Sequence, residues 1–307
     1  MKFRQLGKSG LRVSVIGIGT WQFGGEWGKD FTQPEADAIL GRAHDLDINL
    51  IDTAECYGDH LSEQMVGKAV RHNRQDWIIA TKFGHHFNAR FDRDTAYAPG
   101  EVRQQLEDSL RALQTDYIDL YQFHSGSNDA FDQPELWDML AEQVQAGKIR
   151  AVGLSISPNT NIYQTARAAS VGASAIQVVY NRLDRIPEEE VLPACLEDYL
   201  GVLARVPLAS GLLSGKYKPG TRFTDDTDVR STRSEDQIQA QLAEVENIQA
   251  QEVPEGVNMA TWALAWCLQH PAVTCVIPGC KSPEQVEANA RAADLDMVRA
   301  DHPQALA

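Results

Sequence analysis

Residues 49–82 read NLIDTAECYGDHLSEQMVGKAVRHNRQDWIIATK and contain one complete strand–helix–strand unit. Asn49–Thr53 and Trp77–Lys82 are short apolar runs of strand length, and Leu61–Arg71 between them has a helical pattern. A strand followed by a helix and another strand is typical of parallel pairing. The stretch therefore predicts a parallel sheet with helices packed on its outside.

The same alternation continues along the chain. Eight strands are expected, at Ser14–Gly19, Asn49–Thr53, Trp77–Lys82, Tyr117–Phe123, Ile149–Ser155, Ala175–Tyr180, Gly201–Val206 and Val273–Ile277. The expected helices are Pro34–Asp47, Leu61–Arg71, Gly100–Leu113, Pro134–Ala146, Asn159–Val171, Glu188–Tyr199, Ser234–Ala250, Glu255–Gln269 and Pro283–Ala293. Eight such units predict a (β/α)8 TIM barrel, with an open doubly wound sheet as the alternative.

The ends of the predicted barrel and its longest loop also have recognisable patterns. Phe3–Leu6 and Leu11–Val13 flank Gly7–Gly10 and predict an N-terminal β-hairpin. Residues 221–233, TRFTDDTDVRSTR, contain few apolar side chains and predict a mobile loop. No linker-like segment divides the chain, so residues 1–307 are expected to form a single domain.

Composition excludes several classes of function. The 28 Lys and Arg against 43 Asp and Glu give a formal charge of -15, which repels nucleic acids and anionic lipids. The apolar stretches are strand-sized, so no membrane span is expected. The N-terminus MKFRQLGKSG has no apolar leader, and the five cysteines form no CxxC pair. We therefore expect a cytoplasmic protein with free thiols.

Polar residues cluster at the ends of three successive predicted strands. Asp52 and Tyr57 follow the second strand, Lys82 ends the third and His124 follows the fourth. Each alone has an ordinary structural explanation, as a cap, a packing residue or a solvated side chain. Together they should converge, because the carboxyl ends of barrel strands share one face.

Such a convergence has a specific chemistry. A lysine cation beside a tyrosine should lower the pKa of the hydroxyl, which is ordinarily about 10. An aspartate pairs with the lysine, and a histidine can donate a hydrogen bond to a carbonyl oxygen. The set can protonate an oxygen as it becomes negative, which is half of a carbonyl reduction; the hydride must come from a cofactor.

Asp52–Gly58 (DTAECYG), Thr81–Lys82 and Gln122–His124 (QFH) resemble the tetrad regions of the aldo-keto reductase superfamily. The resemblance extends from the N-terminal hairpin to Asn289 and is strongest to the bacterial and potassium-channel β-subunit branch. It implies a hydride transfer between NADP(H) and an aldehyde or ketone, or the matching alcohol, with Tyr57 as general acid. It leaves open a cofactor-binding partner or regulatory subunit with little turnover, like the channel β-subunits.

The GxGxxG fingerprint is absent, because Gln22 stands where the third glycine would follow Gly17 and Gly19; this weakens a Rossmann interpretation and leaves the nucleotide site open. The family resemblance instead implies cofactor contacts from Gly19, Thr20, Trp21, Asp52, Ser155, Gln177, Arg205, Leu208, Ser210, Gly211, Lys216, Gly279, Lys281, Gln285 and Asn289. Lys281, at a helix start, favours a 2′-phosphate and hence NADP(H) over NAD(H).

Three positions depart from the family pattern. Ile156 follows Ser155 where a polar residue is usual, and Ala288 replaces an acidic residue that often contacts adenine. Arg205 stands where many members have an aromatic residue that stacks on the nicotinamide. A guanidinium at that position would favour the neutral, reduced ring.

No metal is expected, because His85–His86 is not an HxH or HExxH arrangement. The family branch implies a small carbonyl substrate, with a sugar or polyol derivative as the first guess. The sequence predicts no oligomeric state.

Overall fold

The computed structural model describes residues 1–306. Its strands are β1 (Phe3–Gln5), β2 (Arg12–Ser14), β3 (Ile18–Gly19), β4 (Leu50–Asp52), β5 (Ile78–Phe83), β6 (His85–Ala89), β7 (Asp92–Thr95), β8 (Ile118–His124), β9 (Ile149–Ser155), β10 (Ala173–Val179), β11 (Gly201–Arg205) and β12 (Cys275–Val276). Eight of them form one sheet in the order β3-β4-β5-β8-β9-β10-β11-β12, and every neighbouring pair is parallel.

The sheet closes on itself. Ile16 forms a parallel bridge with Val276, and Gly19 forms another with Gly279, so the last strand meets the first. The N-terminal hairpin β1–β2 precedes the sheet and is antiparallel. These features confirm the predicted (β/α)8 barrel with its N-terminal hairpin and exclude the open doubly wound sheet.

Helices follow the strands on the outside of the barrel. They are α1 (Gln33–Asp45), α2 (Leu61–Val70), α3 (Pro99–Leu113), α4 (Asn128–Phe131), α5 (Pro134–Gln145), α6 (Ile162–Thr165), α7 (Val191–Glu197), α8 (Glu235–Gln251), α9 (Met259–Leu268) and α10 (Pro283–Ala290). None of the helices in residues 1–306 has the length and apolar character needed to cross a membrane.

Several predicted boundaries were wrong. The strand predicted at Ser14–Gly19 is divided, because Ser14 pairs within the hairpin, Ile18–Gly19 pairs with β4, and Ile16 joins the barrel only through its bridge to Val276. The helix predicted at Asn159–Val171 is only α6 and a separate 3-10 turn, since the Asn161 side chain caps the Gln164 N–H and starts the helix there. The helix predicted at Glu188–Tyr199 shrinks to α7.

The barrel encloses a core of its own. Leu6, Leu11 and Val13 of the hairpin pack against inward side chains of the strands, including Leu50 and Leu203. All five are buried, so the hairpin plugs the amino-terminal end of the barrel. A larger core lies between the strands and the surrounding helices. The opposite, carboxyl-terminal end of the barrel remains available for a binding site.

Gly7, in the turn of the hairpin, lies directly against the backbone of the barrel. It has φ +52°, and a Cβ built on it would lie 2.2 Å from the Gly201 nitrogen and 2.7 Å from the Ser174 carbonyl oxygen. We expect Gly7→Ala to lower the free energy of unfolding by about 3 kcal/mol, measured by urea denaturation.

Gly10 provides a matched control in the same turn. It also has positive φ, +76°, but a Cβ there would meet nothing within 4 Å. Gly10→Ala should therefore lower the free energy of unfolding by only about 1 kcal/mol, the cost of the backbone strain. Equal losses of unfolding free energy in the two variants would show that the turn of the hairpin is not in close contact with the barrel.

Candidate active site

The carboxyl ends of β4, β5 and β8 place three charged or polar side chains beside one another. Asp52 is paired in register with Ala80, and Lys82 with Gln122, so Asp52, Lys82 and His124 all emerge at the same face. Tyr57 follows β4 in a tight turn, where its N–H donates to the Ala54 carbonyl oxygen. The predicted convergence of these four residues is therefore present in the structure.

Lys82 is the centre of the group. Its Nζ donates to Asp52 Oδ1 at 2.7 Å, to the Thr53 carbonyl oxygen at 2.7 Å and to Tyr57 Oη at 3.3 Å. The lysine is 0% exposed and Asp52 4% exposed. Because all three ammonium hydrogens have partners, the buried charge is satisfied.

The second oxygen of Asp52 is held by amides. Gln177 Nε2 donates to Asp52 Oδ2 at 2.6 Å, and Gln122 Nε2 donates to the same oxygen at 3.2 Å. Gln177 Nε2 also donates to Gln122 Oε1 at 3.1 Å. The carboxylate therefore has a fixed orientation, which positions Lys82 beneath the tyrosine.

The pKa of Tyr57 departs from the sequence-based expectation. Burial raises it to about 12, and the Lys82 cation, which lowers it, does not compensate. Burial is the largest single effect on Lys82 and opposes its charge, but Asp52 and Tyr57 together outweigh burial and raise the pKa of the lysine. The expectation that Lys82 would bring the tyrosine pKa below its usual value was wrong for the protein without cofactor. Tyr57 is thus a protonated hydroxyl at neutral pH.

His124 lies across the cleft from the tyrosine. The Tyr57 and His124 rings are 6.3 Å apart and nearly perpendicular. His124 Nδ1 faces inward, 3.8 Å from Cys56 Sγ and 3.9 Å from Glu55 Oε2. Burial lowers the pKa of His124 to about 4, so its ring is neutral at pH 7. Its Nε2 is the nitrogen left for a ligand.

A cleft of about 660 Å³ opens above these residues. It is lined by Tyr57, by His124 and by every residue of the predicted cofactor set except Ser155. Ser155 ends β9 and is 1% exposed. The structure thus brings the predicted set together around one cavity and leaves Ser155 beneath its surface. Lys82 also lies beneath the surface, behind Tyr57.

The cleft wall after β11 has an unusual backbone. Val206, Ser210 and Gly211 have φ values of +53°, +58° and +88°. A β-branched residue in this region is strained, and such strain is common at ligand-binding loops. The Arg205 Nε is buried without a partner among the described residues. An orphaned donor at a cleft is explained by a polar ligand, so these residues fit a nucleotide cofactor.

The model of the Aldo/keto reductase family matches residues 15–305. The chain belongs to the aldo/keto reductase family. The similarity to two curated relatives covers 95% and 96% of their length.

An uncharacterized oxidoreductase of Bacillus subtilis, YqkF, is 33% identical, with 100% of this chain and 95% of the relative covered. The NADH-specific methylglyoxal reductase of Escherichia coli is 31% identical over 98% of this chain and 96% of the relative. A probable voltage-gated potassium channel subunit beta of Oryza sativa is 28% identical, with 96% of this chain and 92% of the relative covered. The predicted resemblance to this branch of the family is confirmed.

Among solved structures, the holo form of aldo-keto reductase AKR11C1 from Bacillus halodurans superimposes with a TM-score of 0.79 at 34% identity. The alignment covers 96% of this chain and 91% of that chain. Fold and family therefore agree across sequence and structure.

A hairpin that the sequence did not predict extends the mouth of this reductase barrel. β6 and β7 pair in antiparallel fashion directly after β5. Arg93, in β7, lines the cleft and pairs with Glu26 at 2.5 Å. Glu26 is 0% exposed and also accepts hydrogen bonds from the Trp21 indole and the Phe91 N–H. Glu26 therefore joins the loop after β3 to the hairpin.

Residues 221–233, which we name the strap, cross the mouth of the barrel. The Val229 N–H donates to the Glu26 carbonyl oxygen at 3.0 Å, and the Gly28 N–H donates to the Thr227 carbonyl oxygen at 3.1 Å. Within the strap, Arg230 forms a buried pair with Asp228 at 2.6 Å and lines the cleft. The predicted loop thus contributes residues to the site that sequence reasoning missed.

Proposed function

We propose that the protein reduces aldehydes or ketones with NADP(H), and that Tyr57 is the general acid. The supporting observation is the Lys82 ammonium, which lies between the Asp52 carboxylate at 2.7 Å and the Tyr57 hydroxyl at 3.3 Å. This arrangement leaves one protonated hydroxyl at the floor of a cleft. We further propose one barrel domain over residues 1–307 and a cytoplasmic location, in keeping with five free, buried cysteines.

Tyr57, Lys82, Asp52 and His124 each have a separate role in the proton transfer. As the carbonyl oxygen gains charge, Tyr57 Oη donates its proton to that oxygen. The Lys82 cation stabilises the phenolate that remains, and Asp52 holds the cation in place. His124, neutral and with Nε2 toward the cleft, donates a hydrogen bond that orients the carbonyl. A bound nicotinamide cofactor supplies the hydride.

The cofactor would be held along the cleft by groups from three loops. Gln177 faces the end that lies beside Asp52, where the nicotinamide would bind. The left-handed loop at Ser210–Gly211 and Lys216 border the middle of the cleft, where backbone N–H groups and a cation suit a pyrophosphate. Lys281 and the start of α10 border the far end. A 2′-phosphate there would gain from both the cation and the helix dipole.

Lys281 provides the test of NADP(H) preference, which matters because a similar Escherichia coli reductase is NADH-specific. Its Nζ donates to the Trp27 carbonyl oxygen at 2.7 Å, and burial lowers its pKa. We expect tighter binding of NADPH than NADH in tryptophan-fluorescence titrations. Lys281→Ala should weaken NADPH binding by about 10- to 100-fold, the value of a charge-assisted contact, and leave NADH binding unchanged.

Lys218→Ala is the matched control, since Lys218 Nζ contacts only the exposed Gln249 side chain. It should change neither titration. Equal losses for both cofactors in Lys281→Ala would contradict a 2′-phosphate site, and preferred binding of NADH by the wild type would contradict NADP(H) itself.

The substrate is proposed to be a small carbonyl compound, with a sugar or polyol derivative as the first class to screen. Trp21 stacks on Tyr57 with ring centroids 6.0 Å apart, and Trp21 and His85 border the same end of the cleft. Aromatic surface beside polar groups suits a short polar carbon chain. NADPH oxidation in the presence of simple aldehydes tests turnover. Tight cofactor binding without turnover would instead favour a regulatory subunit.

A further inference from the structure

Glu55, Cys56 and His124 form a compact group at the wall of the cleft. His124 Nδ1 lies 3.8 Å from Cys56 Sγ and 3.9 Å from Glu55 Oε2, and the three ligand atoms are all within 4.8 Å of one another. Glu55 and Cys56 follow β4, and His124 ends β8, so two strands on either side of β5 fix the group. The reaction proposed above uses only the opposite nitrogen of the histidine.

Glu55 has an unsatisfied carboxylate oxygen. The residue is 3% exposed; Oε1 accepts the His85 N–H at 3.0 Å, but Oε2 is buried and has no hydrogen-bond partner among the described residues. A buried carboxylate oxygen without a partner carries a large desolvation cost. Because Oε2 faces the Cys56–His124 pair, a ligand bound between the three residues would satisfy it.

The neighbouring carboxylates show the contrast. Asp52 has the Lys82 ammonium at 2.7 Å, and Glu26 has the Arg93 guanidinium at 2.5 Å. Glu55 has only the His124 ring, at 3.9 Å, which is too far for a hydrogen bond. Of these three carboxylates, Glu55 is therefore the one that lacks a close counter-charge.

We propose that Glu55 Oε2, Cys56 Sγ and His124 Nδ1 bind one divalent cation of the Zn²⁺ type. Thiolate, imidazole and carboxylate are the donors that this class of ion takes in proteins. Tetrahedral bond lengths place such donors roughly 3.3–3.6 Å apart, so shifts of about 1 Å or less would close the site. This differs from the sequence-based expectation of no metal, which considered only His85–His86 and the first strand.

The site borders the cleft, and binding of a metal ion would release one proton. Cys56 and His124 line the large cleft, which also leaves room for a water molecule as fourth ligand. On binding, the Cys56 S–H bond breaks, its proton leaves to solvent and a metal–sulfur bond forms, without any change in oxidation state. His124 Nε2 would keep its hydrogen and still face the cleft, so the ion lies behind the substrate rather than in its place.

Titration of the apo protein with Co²⁺, followed by displacement with Zn²⁺, tests the proposal without any turnover assay. We expect one equivalent to bind with thiolate-to-cobalt charge-transfer absorption in the near ultraviolet, and Zn²⁺ to abolish it. Surface histidines cannot give that band. Cys56→Ala should remove it, and Glu55→Gln should weaken binding by about tenfold or more while keeping the band.

The controls are His86→Ala and Cys195→Ala. His86 is exposed, and the buried Cys195 belongs to no three-ligand group in the described residues, so both variants should bind Co²⁺ like the wild type. Circular dichroism verifies that each variant is folded. A charge-transfer band that survives Cys56→Ala, or no band in the wild type at millimolar Co²⁺, would overturn the site.

Discussion

Tyr57→Phe is expected to lower kcat/KM for carbonyl reduction by about 10³-fold, while the affinity for NADPH stays within a factor of two. The substitution removes only the hydroxyl that receives the Lys82 hydrogen bond at 3.3 Å. Its ring can still stack against Trp21. Steady-state kinetics and a fluorescence titration of the cofactor measure the two quantities separately.

Tyr121→Phe is the matched control for this loss. Tyr121 is 0% exposed, packs on Phe83, and its hydroxyl has no partner among residues 1–306. Removing that oxygen should leave turnover unchanged and should not destabilise the protein. A Tyr57→Phe enzyme with the wild-type rate would disprove the general-acid assignment. Loss of turnover in both variants would show that turnover is sensitive to the removal of any buried hydroxyl, not specifically that of Tyr57.

Lys82→Met is expected to reduce kcat at least about 100-fold and to lower the free energy of unfolding by about 3–5 kcal/mol. The cation that stabilises the Tyr57 phenolate is lost, and Asp52, only 4% exposed, keeps its charge without its counter-ion. Urea denaturation gives the stability, and rapid-mixing measurements of NADPH oxidation give the rate.

The double variant Lys82→Met/Asp52→Asn separates the two effects. A neutral amide in place of the unpaired carboxylate should recover most of the stability but none of the turnover. Recovery of both would show that Lys82 acts only by supporting the fold. A Lys82→Met protein as stable as the wild type would contradict the burial of the pair.

The convergence of Asp52, Lys82 and His124 could be predicted because it depends only on local facts. Each residue follows a recognisable apolar strand, and parallel strands in a barrel bring their carboxyl ends together. The structure pairs these strands in the predicted order, β4 with β5 and β5 with β8. Sequence periodicity was therefore sufficient for the fold and for this part of the site.

Glu26 could not be predicted, because its role depends on distant partners. Arg93 lies 67 residues away in the sequence, in a hairpin whose strand Asp92–Thr95 is polar and has no apolar alternation. In the sequence, a glutamate in a Gly-rich loop and an arginine among aspartates both resemble solvated residues. Only the three-dimensional structure shows the glutamate to be fully buried.

The pKa of Tyr57 and the strap show a second limit of sequence reasoning. Spacing identifies which charges are near the tyrosine, but the extent of burial, which raises its pKa to about 12, is a property of the whole cleft. Similarly, the low apolar content of residues 221–233 predicted a loop but could not reveal the buried Asp228–Arg230 pair inside it.

The main-chain bonds between the strap and residues 26–28 have a kinetic consequence. Trp27 and Arg230 both border the cleft where these segments cross. We therefore expect a long cofactor bound in the cleft to enter or leave fully only after these bonds open. The rate of cofactor exchange would then be limited by the opening of this crossing, which is a property of the protein and not of the nucleotide. Observed association rates would level off at high ligand concentration. The residence time of the ligand, rather than its affinity, would then measure how strongly the strap is bonded to residues 26–28.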